Sequence, residues 1–175
     1  KADWRHDNIR KIAARTVGLD IAEKAVLELQ RKGYDVRLVD ATSEVDIGER
    51  FDRVVLGDVI EHVDNPVALL RFAARHLAEN GLVVCTTPNP LYIGNALEII
   101  RNGVLIANAE HISWITPTNA LELAFRSGLS LKRVHHYSGA GNSSFRKAGI
   151  AMLKTFGWIK YELFARTYIY VFGKQ

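Results

Sequence analysis

The sequence predicts an α/β three-layer sandwich with a mostly parallel sheet and one antiparallel edge strand. Three observations carry that prediction. Short apolar runs alternate with amphipathic stretches of about ten to fifteen residues, the pattern of parallel βαβ units. In "FDRVVLGDVIEHVDNP", the run Val54-Val55-Leu56 is apolar without alternation, as in a strand covered on both faces. Several runs also end on acids, at Asp20, at Asp40 and at the pair Gly57-Asp58, and open α/β sheets bind ligands at the carboxyl ends of their strands.

The elements follow in order. "HDNIRKIAART" has helical spacing through Ile9, Ile12 and Ala13, and "VGLD" is a short strand ending on Asp20. "IAEKAVLELQRKG" places Ala22, Ala25, Val26 and Leu29 on one helical face, with Gly33 as its stop. "DVRLVDA" is a second strand, ending on Asp40, and "FDRVVLG" is a third. "NPVALLRFAARHLAENG" reads as a helix with Asn65 as N-cap, Pro66 at the first helical position and Gly81 closing it. "LVVCTTP" is a fourth strand. "TPTNALELAFRSG" is a helix capped by Thr116 and stopped by Gly128. "LSLKRVHHY" and "TYIYVFGKQ" are the last strands, and the connection between them lacks the earlier crossover pattern, which places an antiparallel strand at the edge. The chain has no internal repeat and no low-complexity linker.

Bulk numbers narrow the function classes. With 175 residues, 48% hydrophobic and 24% charged, the chain fits one globular domain spanning 1–175. No run approaches the roughly 18 apolar residues that cross a bilayer, and the start does not read as a signal peptide. The single cysteine, Cys85, sits in the apolar run "GLVVCTTP" and is expected as a small core residue, which fits a cytoplasmic protein. A net charge of +4 without zinc-finger spacing, an RNA-binding signature or a long basic run argues against a nucleic-acid partner. "HHYSGAGNSSFRK" offers Gly139-x-Gly141 after a strand, but Ser144 holds the third glycine position and no strand ending in an acid follows. A loop is therefore expected there rather than a nicotinamide site.

An acid ending "VGLD" suits hydrogen bonds from ribose hydroxyls, and Asp40-Ala41, about twenty residues later, suits a place near an adenine. Together with "VRLVDA", "FDRVVLGDVIEHVDNPVALLRFAARHLAENGLVVCTTPNP" and "EHISWITPTNALELAFRSGLSLKRV", the string resembles class I S-adenosylmethionine-dependent methyltransferases, in the group that includes the ubiquinone-pathway O-methyltransferases. The resemblance covers most of residues 17–137. It implies a Rossmann-like sandwich and S-adenosyl-L-methionine as cofactor. It implies that Asp20, with Ile21 beside it, holds the cofactor ribose, that Asp40 and Ala41 border the adenine, and that Gly57 and Asp58 line the methionine end. The family's glycine-rich loop has no counterpart before "VGLD", where only sixteen residues precede Val17 and they hold no glycine. A further N-terminal segment is expected to carry it.

The turn after Leu56 holds Asp58, Glu61 and His62 at i, i+3 and i+4. Three roles are open to it. The acids cap or solvate the turn while His62 packs on the next helix; or His62 is the base that takes a hydroxyl proton from the acceptor; or the trio binds a divalent cation that acidifies that hydroxyl. The base role is expected to win. The resembling enzymes share a similar acid-acid-histidine spacing, but the first acid here is Asp, one methylene shorter than Glu. The segment after Pro88 should roof the acceptor pocket with Asn89, Tyr92 and Trp114, and His111 is a second candidate base, since in the resembling group a histidine often precedes the helix that follows. The expected acceptor is a small-molecule, sugar or lipid-linked hydroxyl. The rival from another class is a degenerate, non-catalytic Rossmann-like interaction domain. The basic-aromatic segment 145–166 is expected to be an inserted helix that packs on the domain, forms a homodimer surface or touches a membrane.

Overall fold

The computed structural model describes residues 5–105, 108–138 and 161–175. The chain divides into two compact units, Lys1–Val45 and Asp46–Gln175.

The first unit contains α1 (Arg5–Arg10), β1 (Gly18–Asp20), α2 (Glu23–Arg31) and β2 (Val36–Leu38). β1 and β2 pair in parallel, with Gly18 opposite Val36 and Asp20 opposite Leu38. The Val39 N–H donates to the Asp20 carbonyl at 3.0 Å, one rung beyond the strand. Asp20 and Asp40 therefore leave neighbouring strands at the same end. α2 buries Val26, and Gly33 turns the chain with φ +82°, a conformation glycine adopts without steric cost. The Tyr34 hydroxyl donates to Asp7 at 2.7 Å, tying α1 to the turn before β2.

The second unit contains β3 (Phe51–Gly57), a 3₁₀ turn over Ile60–His62, α3 (Pro66–Arg75), β4 (Leu77–Pro88), α4 (Ile93–Asn102), α5 (Pro117–Arg126), β5 (Leu129–Tyr137), a second 3₁₀ turn over Tyr161–Phe164 and β6 (Thr167–Lys174). Its sheet runs β3-β4-β6-β5. β3 and β4 are parallel, while β6 pairs antiparallel with both β4 and β5. The expected antiparallel edge is present: β5, at the edge, pairs antiparallel with β6, which lies one place in. β3 forms the other edge. There Leu56 is buried while Val55 is 44% exposed, so coverage on both faces is not met along the whole apolar run.

Two helix readings hold at their starts. The Asn65 side chain accepts the Ala68 N–H and Pro66 opens α3. The Thr116 side chain accepts from Asn119, whose own side chain answers, and Pro117 opens α5. The predicted end of α3 is corrected. The helix stops at Arg75, and Leu77–Asn80 already belong to β4. Gly81 lies within that strand rather than closing the helix, and a Cβ there would stand 2.9 Å from the Phe51 carbonyl oxygen, a close approach that glycine allows. His76 holds the junction. Its Nε2 accepts the Ile47 N–H at 3.1 Å and its Nδ1 donates to the Phe72 carbonyl at 2.7 Å. α4 has no counterpart among the elements expected from sequence, and it buries none of its residues.

The core of this unit is built on one face of β6. Tyr168, Tyr170 and Phe172 are buried there, along with Leu69, Leu70 and Phe72 from α3 and Ala120 and Ala124 from α5. The Tyr170 hydroxyl donates to the Ile115 carbonyl at 2.8 Å. Cys85 is buried, as expected, and burial pushes its thiol pKa up. No helix among the described residues is long and apolar enough to cross a membrane. The Gly139-x-Gly141 stretch and residues 145–160 of the basic-aromatic segment lie outside the described residues.

Candidate active site

At the end of β1, the exposed Asp20 turns one carboxylate oxygen back on its own chain, accepting the Ala22 N–H at 2.8 Å. Ile21 beside it is 74% exposed. After β2, Asp40 accepts the Thr42 N–H at 2.8 Å and the Thr42 hydroxyl at 2.6 Å. That pair of bonds, led by the hydroxyl, holds its carboxyl pKa below the usual value. Ala41 is half-buried. Both acids thus have an anchored carboxylate in the first unit.

In the second unit, β3 ends on Gly57 and the chain reverses at Asp58, which has φ +54°. The 3₁₀ turn that follows aims its groups differently. Glu61 is 1% exposed and neither carboxylate oxygen has a hydrogen-bond partner. Burial raises its pKa, and the neighbouring Thr87 hydroxyl is likewise buried without a hydrogen-bond partner. His62 faces the segment before α5, with its Nδ1 3.0 Å from the Glu110 carbonyl oxygen. A carbonyl only accepts, so Nδ1 is the donor in this bond, and in the neutral ring the lone pair is then on Nε2.

The same segment is strapped to the turn by its main chain. The Ile112 and Ser113 N–H groups both donate to the Glu61 carbonyl, at 3.0 and 3.2 Å. This brings His111 edge-on to His62, ring centroids 4.8 Å apart, and Trp114 edge-on to His111 at 5.9 Å. Ligand-capable atoms of Glu61, His62 and His111 lie within 4.8 Å of one another. Of the trio weighed from sequence, Asp58, Glu61 and His62, the last two are brought together with His111. Asp58 is engaged with Thr86 instead, whose hydroxyl donates to its Oδ1 at 2.7 Å, and His111 takes the third place.

The predicted acceptor residues part company. Trp114 borders a cleft of about 340 Å³ that also meets Val67 of α3 and Leu123 of α5. Tyr92 packs on Gly94, where any Cβ would strike its ring, and under the Arg166 guanidinium, 5.4 Å from the ring centroid. Asn89 is corrected. It is 1% exposed, its amide donates to the Glu162 and Ala165 carbonyls at 2.9 Å each, and its oxygen accepts the Leu91 N–H at 2.8 Å. Its polar atoms serve the chain's own backbone. Sequence reading missed Thr86 and the Glu110 carbonyl. The first had a faint signal, a hydroxyl near the end of β4; the second, a main-chain atom, had none.

Residues 6–134 match the model of a methyltransferase domain. The chain belongs to that family, with the fold of class I S-adenosylmethionine-dependent methyltransferases, and S-adenosylmethionine is the family's cofactor. Among curated relatives, the ubiquinone biosynthesis O-methyltransferase of Ruegeria sp. (strain TM1040) is 28% identical over 131 residues, 69% of this chain and 53% of that protein. One from Cereibacter sphaeroides is 30% identical over 130 residues, 68% of this chain and 53% of its own length. The chain spans about half the length of these relatives. A solved S-adenosylmethionine-dependent methyltransferase from Archaeoglobus fulgidus superposes with TM-score 0.70 at 14% identity, covering 98% of this chain and 80% of that one. The magnesium protoporphyrin IX methyltransferase of Synechocystis, solved with S-adenosylhomocysteine, gives TM-score 0.59 at 16% identity, covering 96% of this chain and 67% of that one.

Proposed function

We propose that the whole protein transfers a methyl group from S-adenosylmethionine to a hydroxyl oxygen of a small-molecule, sugar or lipid-linked acceptor. The observation that carries the oxygen-directed part is the His62–Glu110 bond. It leaves Nε2 as the basic nitrogen, within a cluster that also holds His111 and the buried Glu61. The relatives named for ubiquinone biosynthesis support the same class of acceptor.

The methyl donor supplies, when bound, an electrophilic carbon on a sulfonium, already a good leaving group. What the chain must add is alignment and removal of the hydroxyl proton. As the family resemblance implies, Asp20, with Ile21 alongside, would accept ribose hydroxyls, and Asp40 and Ala41 would border the adenine. Gly57 and Asp58 would line the methionine end. His62 takes the acceptor proton on Nε2, His111 sits edge-on to steer the imidazole or act as a second base, and Trp114 offers an apolar wall.

A second reading is favoured by one observation. Glu61, His62 and His111 form a carboxylate-and-two-imidazole donor set within 4.8 Å, suited to a borderline divalent ion that would acidify the acceptor hydroxyl. Ligands around a tetrahedral zinc lie roughly 3.3 Å apart, so a set as wide as that limit would have to draw in, and this reading ranks second. It makes Glu61→Ala and His111→Ala as damaging as His62→Ala, chelator abolishes turnover, and added zinc raises the melting temperature. The base reading expects milder effects from Glu61→Ala and His111→Ala, and none from chelator.

Calorimetry with S-adenosylhomocysteine on the full-length protein tests the main proposal. Binding is expected; none at millimolar ligand overturns it in favour of a non-catalytic interaction domain.

A further inference from the structure

Among the described residues, Asp58 is the non-glycine residue with a positive φ, +54°. That left-handed conformation is unfavourable for L-residues, though aspartate tolerates it better than most. It persists where surrounding contacts over-determine it, and Thr86 supplies three hydrogen bonds toward that.

Gly57 pairs with Thr86 across the parallel strands β3 and β4. One residue on, the Asp58 N–H reaches the Thr86 carbonyl at 3.1 Å, extending the ladder. The same N–H lies 3.1 Å from the Thr86 hydroxyl oxygen, and that hydroxyl donates its proton to Asp58 Oδ1 at 2.7 Å. A single hydroxyl therefore grips one residue twice, accepting from its main chain and donating to its carboxylate. Serine could make both bonds; valine, of the same shape, could make neither.

The grip fixes two things together. It orients the carboxylate of Asp58, and it sets the direction in which the chain enters the 3₁₀ turn that carries Glu61 and His62. We infer that Thr86 is a positioning residue for the methionine end of the methyl donor, acting through Asp58. This rests on the proposed placement of Asp58 at that end. The methionine end carries an ammonium, and a carboxylate held in one orientation meets a cation without first having to be ordered.

The test uses two probes on the full-length protein. S-adenosylhomocysteine keeps the amino-acid tail, whereas 5′-methylthioadenosine has the same nucleoside and a thioether but no tail. Thr86→Val should weaken S-adenosylhomocysteine roughly ten-fold, the scale of one hydrogen bond to a charged group, and leave 5′-methylthioadenosine unchanged. Thr86→Ser should restore wild-type affinity for both. If Thr86→Val does not fold, Thr86→Ala tests the same link, since it removes the same hydroxyl without placing a second methyl against the Asp58 carboxylate. It too should lose affinity for the tailed ligand alone. An equal loss for both probes, or for neither, overturns the role of Thr86 while the methyltransferase proposal stands. A wild-type protein that fails to bind S-adenosylhomocysteine overturns that proposal and the inference with it.

Discussion

The Nδ1 of His62 sits 3.0 Å from the main-chain carbonyl of Glu110, forty-eight residues away, and that bond selects which imidazole nitrogen is left to act. No titratable partner is needed to hold the tautomer, because a carbonyl oxygen cannot donate. If Nε2 takes the acceptor proton, His62→Ala should lower turnover by about 10²–10⁴, the usual worth of positioned proton transfer. Affinity for S-adenosylhomocysteine should barely move, since the proposed cofactor contacts come from other residues. Steady-state rates and calorimetry on the same preparation check this. A folded variant with wild-type turnover removes His62 from the chemistry.

Glu61 makes a prediction about stability rather than rate. Its carboxyl is buried, and burial raises its pKa above the ordinary value. A group whose folded pKa exceeds its unfolded one contributes stability that is fully present below the unfolded value, about 4.3 for Glu, and lost as pH rises through the folded value. Glu61→Gln removes that loss. In the presence of chelator, urea midpoints of wild type should fall relative to the variant as pH climbs from about 4 toward neutrality. Parallel profiles would mean that the carboxyl is not held in its neutral form by the fold.

Local signals made much of this fold legible. Asn65-Pro66 and Thr116-Pro117 start their helices where capping chemistry puts them, and Gly33 and Gly128 sit at left-handed stops with φ +82° and +73°. The errors fall where tertiary contact decides. "HLAENG" continues the helical pattern of α3, yet Leu77 pairs with Phe51 across the sheet, and pairing with a distant strand overrides the local period. α4 escaped notice because sequence reading looks for a buried stripe and α4 buries no residue. At the site, the sequence placed Asp58, Glu61 and His62 together by spacing. It had no means of seeing that Asp58 turns left-handed onto Thr86, or that His111 arrives beside His62 through the bonds of Ile112 and Ser113 to Glu61.

Asp20 carries the test of the ribose assignment. Its Oδ1 already accepts the Ala22 N–H at 2.8 Å, so alanine removes a local turn contact along with any ligand bond. Asparagine keeps a side-chain oxygen for Ala22 and loses the charge. Asp20→Ala should weaken S-adenosylhomocysteine binding by roughly 1–3 kcal/mol, the range for hydrogen bonds to a charged group, and Asp20→Asn should lose part of that with the fold intact. An unchanged dissociation constant in folded Asp20→Ala refutes the assignment.

Asn89 should behave in the opposite way, costing stability and sparing chemistry. Its amide donates to two buried-side carbonyls, Glu162 and Ala165, and its oxygen holds the Leu91 N–H, so the end of β4 is locked to residues more than seventy positions later. Asn89→Ala leaves those backbone groups without their partner, at about 1–3 kcal/mol for each one that stays buried and unsatisfied, and a total loss of roughly 2–4 kcal/mol is expected. Asn89→Asp is the sharper variant. It keeps the acceptor for Leu91 but turns two donors into an anion facing two carbonyl oxygens at a site that is 1% exposed, and a buried charge without a partner costs more than a cavity of similar size. Denaturant unfolding should therefore rank wild type above alanine above aspartate. The alanine variant, measured well below its melting temperature, should keep the wild-type KM for the acceptor. A raised KM without lost stability would return Asn89 to the acceptor site.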